Sequence, residues 1–218
     1  MDGAVTDPND CRSSVCLVFS GKRKSGKDFT VKLLTDMLAQ AHTSYVTLHL
    51  SEPIKSYYAA KHNLNLVELM SSGTYKESYR KQMVEWGEEQ MRHDPHIFAR
   101  KSLSRALSDF PPSSPPRLIV VADARRLTDL DYFSKVCGRP HCLFIRICAS
   151  DQIRAERGWT FVSDIDDATT ECGLDGFGDW DFVLLNDECD SVRYQEAVKE
   201  IIDRATGILH KLTVYTSL

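Results

Sequence analysis

The chain has 218 residues, 42% hydrophobic and 27% charged, with a formal net charge of −4. That length is about one domain, or one domain with an inserted lobe, and the composition allows a sizeable buried core. The acidic balance excludes a protein held mainly to nucleic-acid phosphates, though not one with a local basic site.

Residues 1–14 hold three Asp, one Arg and no apolar stretch, so they read as a flexible leader and not a secretory signal. A single domain over 15–218 is expected to follow. Val15-Cys16-Leu17-Val18-Phe19 is an apolar run ending at a Gly-rich turn, as in a buried parallel strand. Phe29, Leu33, Leu34, Met37 and Leu38 then recur at helical spacing. Tyr45 to Leu50 reads as a second strand. From Pro53 to about Leu107 the pattern is helical, broken at Asp94-Pro95, and forms a lobe over the sheet edge. Pro111 to Pro116 can form neither helix nor ladder.

Leu118 to Ala122 is a third strand, stopped by Asp123, and Cys142 to Cys148 a fourth. Residues 150–178, polar and punctuated by glycine, suit a lid that excludes water. Phe182 to Leu185 is a fifth strand ending at Asn186, and a helix runs from about Val192 to Leu209. Alternating strands and helices predict an α/β fold: a central parallel five-stranded sheet flanked by helices.

No apolar run approaches the roughly 20 residues that cross a bilayer, so no membrane partner is expected. Seven cysteines without a Cys-x-x-Cys indicate neither a disulfide framework nor a zinc ribbon. They read as small buried hydrophobes in a reducing, cytosolic compartment. The C-terminal Thr-Ser-Leu only loosely matches the peroxisomal Ser-Lys-Leu address. The seven His lack metal-ligand spacing, and Trp86, Trp159 and Trp180 are read as packing residues. With no apolar exposed stripe, a monomer is expected.

Gly21-Lys22-Arg23-Lys24-Ser25-Gly26-Lys27-Asp28 matches G-x-x-x-x-G-K, with Asp where Ser or Thr is usual. Two glycines let main-chain N–H groups curl around a phosphate, the following helix adds its positive end, and Lys27 reaches the outer phosphates. Asp28 either helps hold Mg²⁺ or caps the helix. Asp123, at a strand end, either holds Mg²⁺ through water or orders Lys27.

The loop from Phe19 to Phe29, Asp included, resembles that of animal-type phosphomevalonate kinases. So do Thr74-Tyr75-Lys76-Glu77, Trp86-Gly87-Glu88-Glu89, Asp123-Ala124-Arg125-Arg126, Arg157-Gly158-Trp159, Asp166-Asp167-Ala168 and Glu171-Cys172-Gly173-Leu174-Asp175, in that order. The resemblance implies a fold like nucleoside monophosphate kinases and ATP-dependent conversion of 5-phosphomevalonate to 5-diphosphomevalonate, an isoprenoid and sterol precursor step. It implies that Lys22, Arg23, Lys24, Ser25, Gly26, Lys27 and Asp28 bind ATP, with Arg157, Asn186 and Asp187 at the nucleotide site. Arg125 and Arg126 are the implied acceptor-side and catalytic cations alongside Lys27, and Arg146 and Arg154 match basic positions near the lid. Animal members carry an Arg soon after Trp-Gly-Glu-Glu. Here Met91 stands there, with Arg92 beside it as the candidate substitute.

The residue chemistry points the same way. Joining ATP to a phosphomonoester brings together polyanions, and two unit charges about 4 Å apart repel by about 4 kcal/mol at an effective dielectric near 20. Cations must converge, and basic residues do cluster at the turns, as Lys22/Arg23/Lys24/Lys27, Lys76/Arg80/Lys81, Arg125/Arg126 and Arg154/Arg157. To Lys76, Arg80, Arg125, Arg126 and Arg154 as candidates for the acceptor, the resemblance adds Arg92, Arg146 and Asn186. No general base is assigned, because the accepting oxygen is already anionic. A nucleoside monophosphate kinase remains open, with Tyr75, Tyr79 and Trp86 available to sandwich a base. A P-loop ATPase or switch is the other alternative, although the N-K-x-D of GTPases is absent.

Overall fold

The computed structural model describes residues 11–71, 74–111, 117–188 and 191–215. Most of the leader, most of the Pro-rich loop, Cys189 and the C-terminal tripeptide lie outside the described residues.

Strands β1 (Val15–Gly21), β2 (Tyr45–Leu48), β3 (Leu118–Val121), β4 (Cys142–Cys148) and β5 (Phe182–Leu185) form one parallel sheet in the order β2-β3-β1-β4-β5. β1 is central and buried along its whole length, which is why it reads as an unbroken apolar run. Its side chains alternate between two cores. Val15, Leu17 and Phe19 face α1 (Lys27–Gln40) and α9 (Val192–Tyr215), meeting Leu34, Leu38, Val198 and Ile201. Cys16 and Val18 face the other side, with Leu103 of α5 (Ile97–Leu107) and Leu130 and Phe133 of α6 (Leu127–Phe133).

The expected helical lobe is four helices: α2 (Ser51–His62), α3 (Leu66–Met70), α4 (Thr74–His93) and α5. α2 stops where Asn63 turns left-handed, and the Asn65 side chain caps α3 by accepting from Val67 and Glu68 N–H. The break at Asp94-Pro95 falls where expected. Tyr58, Leu69 and Met83 make a small third core joined by Trp86, Tyr75 and Tyr79. Leu50 ends no strand; it lies between β2 and α2, its N–H taken by Asp123 at 2.6 Å.

Packing also begins earlier than the expected leader boundary. Cys11 and Ser14 are buried, and the Cys11 N–H donates to Val136 O at 2.9 Å. Beyond β4, α7 (Asp151–Glu156) and α8 (Thr169–Cys172) lie in the stretch expected as a lid. Among the described residues, no helix is long and apolar enough to cross a membrane.

Candidate active site

The loop leaving β1 needs both of its glycines. A Cβ on Gly21 would stand 2.6 Å from Ser25 Oγ and 2.7 Å from Ile147 O. Gly26 has φ +83°, and a Cβ there would strike the Asn186 amide. As the cap of α1 it offers no side chain, so the first N–H groups of that helix stay available to an anion. Ser25 Oγ and Asn186 Oδ1 are buried without a hydrogen-bond partner. Two orphaned polar atoms beside a main-chain nest fit a phosphate-bearing ligand.

Lys27 is buried; its ammonium donates to Ala122 O at 2.6 Å and pairs with Asp28 at 2.5 Å. It therefore lies between the ends of β1 and β3. Asp123 receives Leu50 N–H and, at 3.3 Å, Ser51 N–H. Burial pushes its carboxyl pKa up, but Lys27, His49 and these bonds outweigh burial and hold it below the ordinary value. It stays anionic beside the lysine.

Three other expected residues, Arg154, Arg157 and Asn186, bond the loop's main chain, and Arg146 and Asp187 lie around it. Arg154 donates to Arg23 O at 2.9 Å while stacking on Trp159. Arg157 donates to Lys24 O at 3.3 Å and Asn186 O at 2.6 Å, and Asn186 Nδ2 donates to Ser25 O at 3.0 Å. Arg146 reaches Ser20 Oγ at 3.0 Å and Asp175 at 2.7 Å, and Asp175 also pairs with Lys22 at 2.6 Å. Asp187 accepts Ser150 N–H at 2.8 Å and so ties the end of β5 to the start of α7.

Beside the loop opens a cleft of about 780 Å³. Seven cations line it, Arg23, Lys55, Lys76, Arg80, Lys81, Arg125 and Arg126, against six carboxylates, Glu85, Glu88, Asp123, Asp164, Asp167 and Glu171. Among the described residues lining it there is no aromatic side chain. Tyr75, Tyr79 and Trp86 pack into the third core instead. Burial first, then the nearby Lys55 and Arg80, pushes the Lys76 ammonium below its ordinary pKa. Lys55 is also lowered by burial and Arg80, against the opposing pull of Asp123. Crowded cations of this kind are relieved by an anion.

Arg125 and Arg126 follow β3, and both of their N–H groups donate to Asp129, at 2.9 and 3.0 Å. The Arg125 guanidinium pairs with Glu171, which also accepts the Arg23 N–H. Arg92 is not brought to the cleft. It is 72% exposed and pairs with Glu89 at 2.8 Å, on the solvent side of the last turn of α4. Met91, beside it, lines a small hollow with Arg125 and Arg126.

Sequence reasoning missed Lys55 and Asp129, and it met Lys81, Asp166 and Glu171 only as members of a basic cluster or of family motifs, without their partners. Lys55 had a readable signal, since it follows a strand end as Arg125 does. Asp166 and Glu171 act on Arg23, far along the chain, whereas Asp129 acts on the main chain of the adjacent turn.

A parallel sheet whose central strand opens onto this loop, with a cationic cleft next to it, defines a P-loop phosphotransferase that works on an anionic acceptor. The family model for phosphomevalonate kinase matches residues 19–139. "Phosphomevalonate kinase" of Drosophila melanogaster is 37% identical over 189 residues, covering 86% of this chain and 95% of that one. The chain belongs to the phosphomevalonate kinase family. Looser likenesses are to TT1252 from Thermus thermophilus (13% identity, 87% of this chain, 96% of that one, TM-score 0.48). Another is to shikimate kinase from Acinetobacter baumannii in complex with shikimate (9% identity, 88% and 92% covered, TM-score 0.42).

Proposed function

We propose that this chain transfers the γ-phosphoryl group of ATP to 5-phosphomevalonate, giving 5-diphosphomevalonate and ADP, in the cytosol and as a monomer. Family membership supports the reaction. The observation that carries the choice of acceptor is the cleft itself: seven cations and no ring to sandwich a base among the described lining residues. An aliphatic substrate bearing a phosphate and a carboxylate suits such walls, whereas a nucleoside monophosphate calls for aromatic faces.

In this reading the loop N–H groups and Lys22 to Lys27 hold the ATP phosphates, with Arg157 and Asn186 closing that side. Lys55, Lys76, Arg80, Arg125 and Arg126 hold the acceptor. Lys27 offsets charge on the transferring group, and the planar guanidinium forks of Arg125 and Arg126 bind acceptor phosphate oxygens in pairs. The accepting oxygen carries its own negative charge, so alignment and electrostatic stabilisation do the chemistry without a base. Asp28 is 88% exposed at the rim of the loop and Asp123 is anionic behind it, a hard-oxygen donor set that fits Mg²⁺. When bound, that ion neutralises phosphate charge. Residues 150–178 act as the lid that excludes water.

An ADP-release assay with 5-phosphomevalonate, mevalonate and the common nucleoside monophosphates tests the proposal. Turnover only with 5-phosphomevalonate is expected. Turnover confined to a nucleotide overturns it.

A further inference from the structure

Three of the six described cysteines meet at one point, with a fourth beside them, although no spacing in the sequence announces it. The Sγ atoms of Cys16, Cys137 and Cys142 all lie within 4.8 Å of one another and are buried. The Cys137 thiol is also in hydrogen-bonding contact with that of Cys11, itself 3% exposed. Each arrives on a different piece of chain. Cys16 and Cys142 are register partners on β1 and β4. Cys137 lies on a widened π-type turn, Ser134–Gly138, that continues α6. Cys11 is tied to that turn through Val136 O.

Isolated thiols in a core are small hydrophobes, and any one of these would be explained that way. Three in mutual contact, with a fourth against one of them, are not, because alanine or valine would fill the volume without facing sulfur lone pairs against one another. The widened turn adds to the argument, since such turns are rare and recur at functional positions. We propose that these four cysteines form a closed thiolate site for a thiophilic d¹⁰ cation of the Zn²⁺ class.

The dimensions allow it. With Zn–S bonds of about 2.3 Å, a tetrahedron has edges of about 3.8 Å, so the three central sulfurs contract by about an ångström at most. Two ligand-bearing residues are pinned from outside: His141 Nδ1 donates to Cys137 O at 3.0 Å and Arg139 to Cys142 O at 2.9 Å. Binding exchanges one Zn²⁺ for the four thiol protons, leaving a centre of charge −2 that the Arg139 guanidinium partly offsets. The site lies at the start of β1, five residues from Gly21 and so about 16 Å from the phosphate loop. It serves stability, not phosphoryl transfer.

The test uses the full chain purified under reducing conditions, titrated with Co²⁺ and then Zn²⁺. One Co²⁺ per chain is expected, with thiolate-to-metal absorption and tetrahedral ligand-field bands that Zn²⁺ abolishes. The Zn²⁺-loaded protein melts higher than the chelator-treated one. Cys137→Ala loses the Co²⁺ spectrum and Cys148→Ser keeps it. The wild-type titration decides the matter if Cys137→Ala fails to fold. Reduced wild-type protein that shows no thiolate absorption with Co²⁺ overturns the proposal, as does a spectrum that survives Cys137→Ala. So does a Cys16–Cys142 or Cys11–Cys137 disulfide in protein purified without reductant and resistant to reduction in the folded state.

Discussion

In the proposed reaction Lys27 and Arg125 both supply positive charge, but their surroundings suit them to different jobs. The Lys27 ammonium is buried and held by Ala122 O, a fixed donor at the end of the phosphate loop. Lys27→Met keeps the stem and removes the donor. Its kcat should fall by about 10²- to 10³-fold, the usual loss for one preorganised donor to developing charge. Leaving Ala122 O unpartnered should also destabilise the fold by about 1–3 kcal/mol. Arg125 sits on the cleft wall, paired with Glu171. Arg125→Lys preserves a charge for that carboxylate but not the planar fork, so the acceptor KM should rise about tenfold with kcat nearly unchanged. Steady-state kinetics on the two variants check the split; equal effects on kcat would show that the roles are not divided this way.

Among the elements, the strand–loop–helix unit from Val15 to Gln40 was readable because everything that shapes it is local: an apolar run, two glycines at fixed spacing, a 3.6-residue period. The stretch from Ser150 to Gly178 was readable only as polar and irregular. What organises it is Asp166, buried, which accepts Trp159 Nε1 at 2.9 Å and Val162 N–H at 2.8 Å and pairs with Arg23 at 2.9 Å. Arg23 is 143 residues away, beyond the reach of any local pattern. Asp129 was hidden for a different reason: its partners are close in sequence, but its role is to receive two main-chain N–H groups of a turn, which no residue pattern marks. The cysteine cluster was hidden because its members come from separate elements.

Burial pushes the Asp166 carboxyl pKa up, but the bonds from Trp159 and Val162, with Arg23 and Arg154, bring it below its ordinary value. A depressed pKa contributes stability that is present above about pH 4 and is lost as pH falls through the folded value. Asp166→Asn should therefore destabilise the segment at pH 7 by about 1–3 kcal/mol, and the difference from wild type should shrink below pH 4. Trypsin should cut the variant sooner after Arg154 and Arg157. A difference in stability that stayed constant down to pH 2 would show that the carboxylate's charge is not what matters.

At the scale of the molecule, the two candidate ligand sites share side chains, so their affinities are expected to be linked. Arg23 is part of the phosphate loop, lines the acceptor cleft and pairs with Asp166 of the stretch between β4 and β5. Glu171 of that stretch receives both the Arg23 N–H and the Arg125 guanidinium. An anion in the cleft competes for Arg125, and one in the loop orders the Arg23 backbone, so filling one site resets the network that the other uses. A ligand at about 100 times its Kd stabilises by about 2.7 kcal/mol. For a chain of 218 residues, at about 2–4 °C per kcal/mol, that is a rise of about 5–11 °C in Tm. Thermal unfolding with a non-hydrolysable ATP analogue, with 5-phosphomevalonate, and with both should give a combined shift larger than the sum of the two. The excess measures the coupling free energy, which must be the same whichever ligand is added first. Mutating Glu171→Gln should remove most of that excess while leaving each single-ligand shift in place. A strictly additive pair of shifts in the wild-type protein would mean that the shared ion pairs join the two sites in space without linking their affinities.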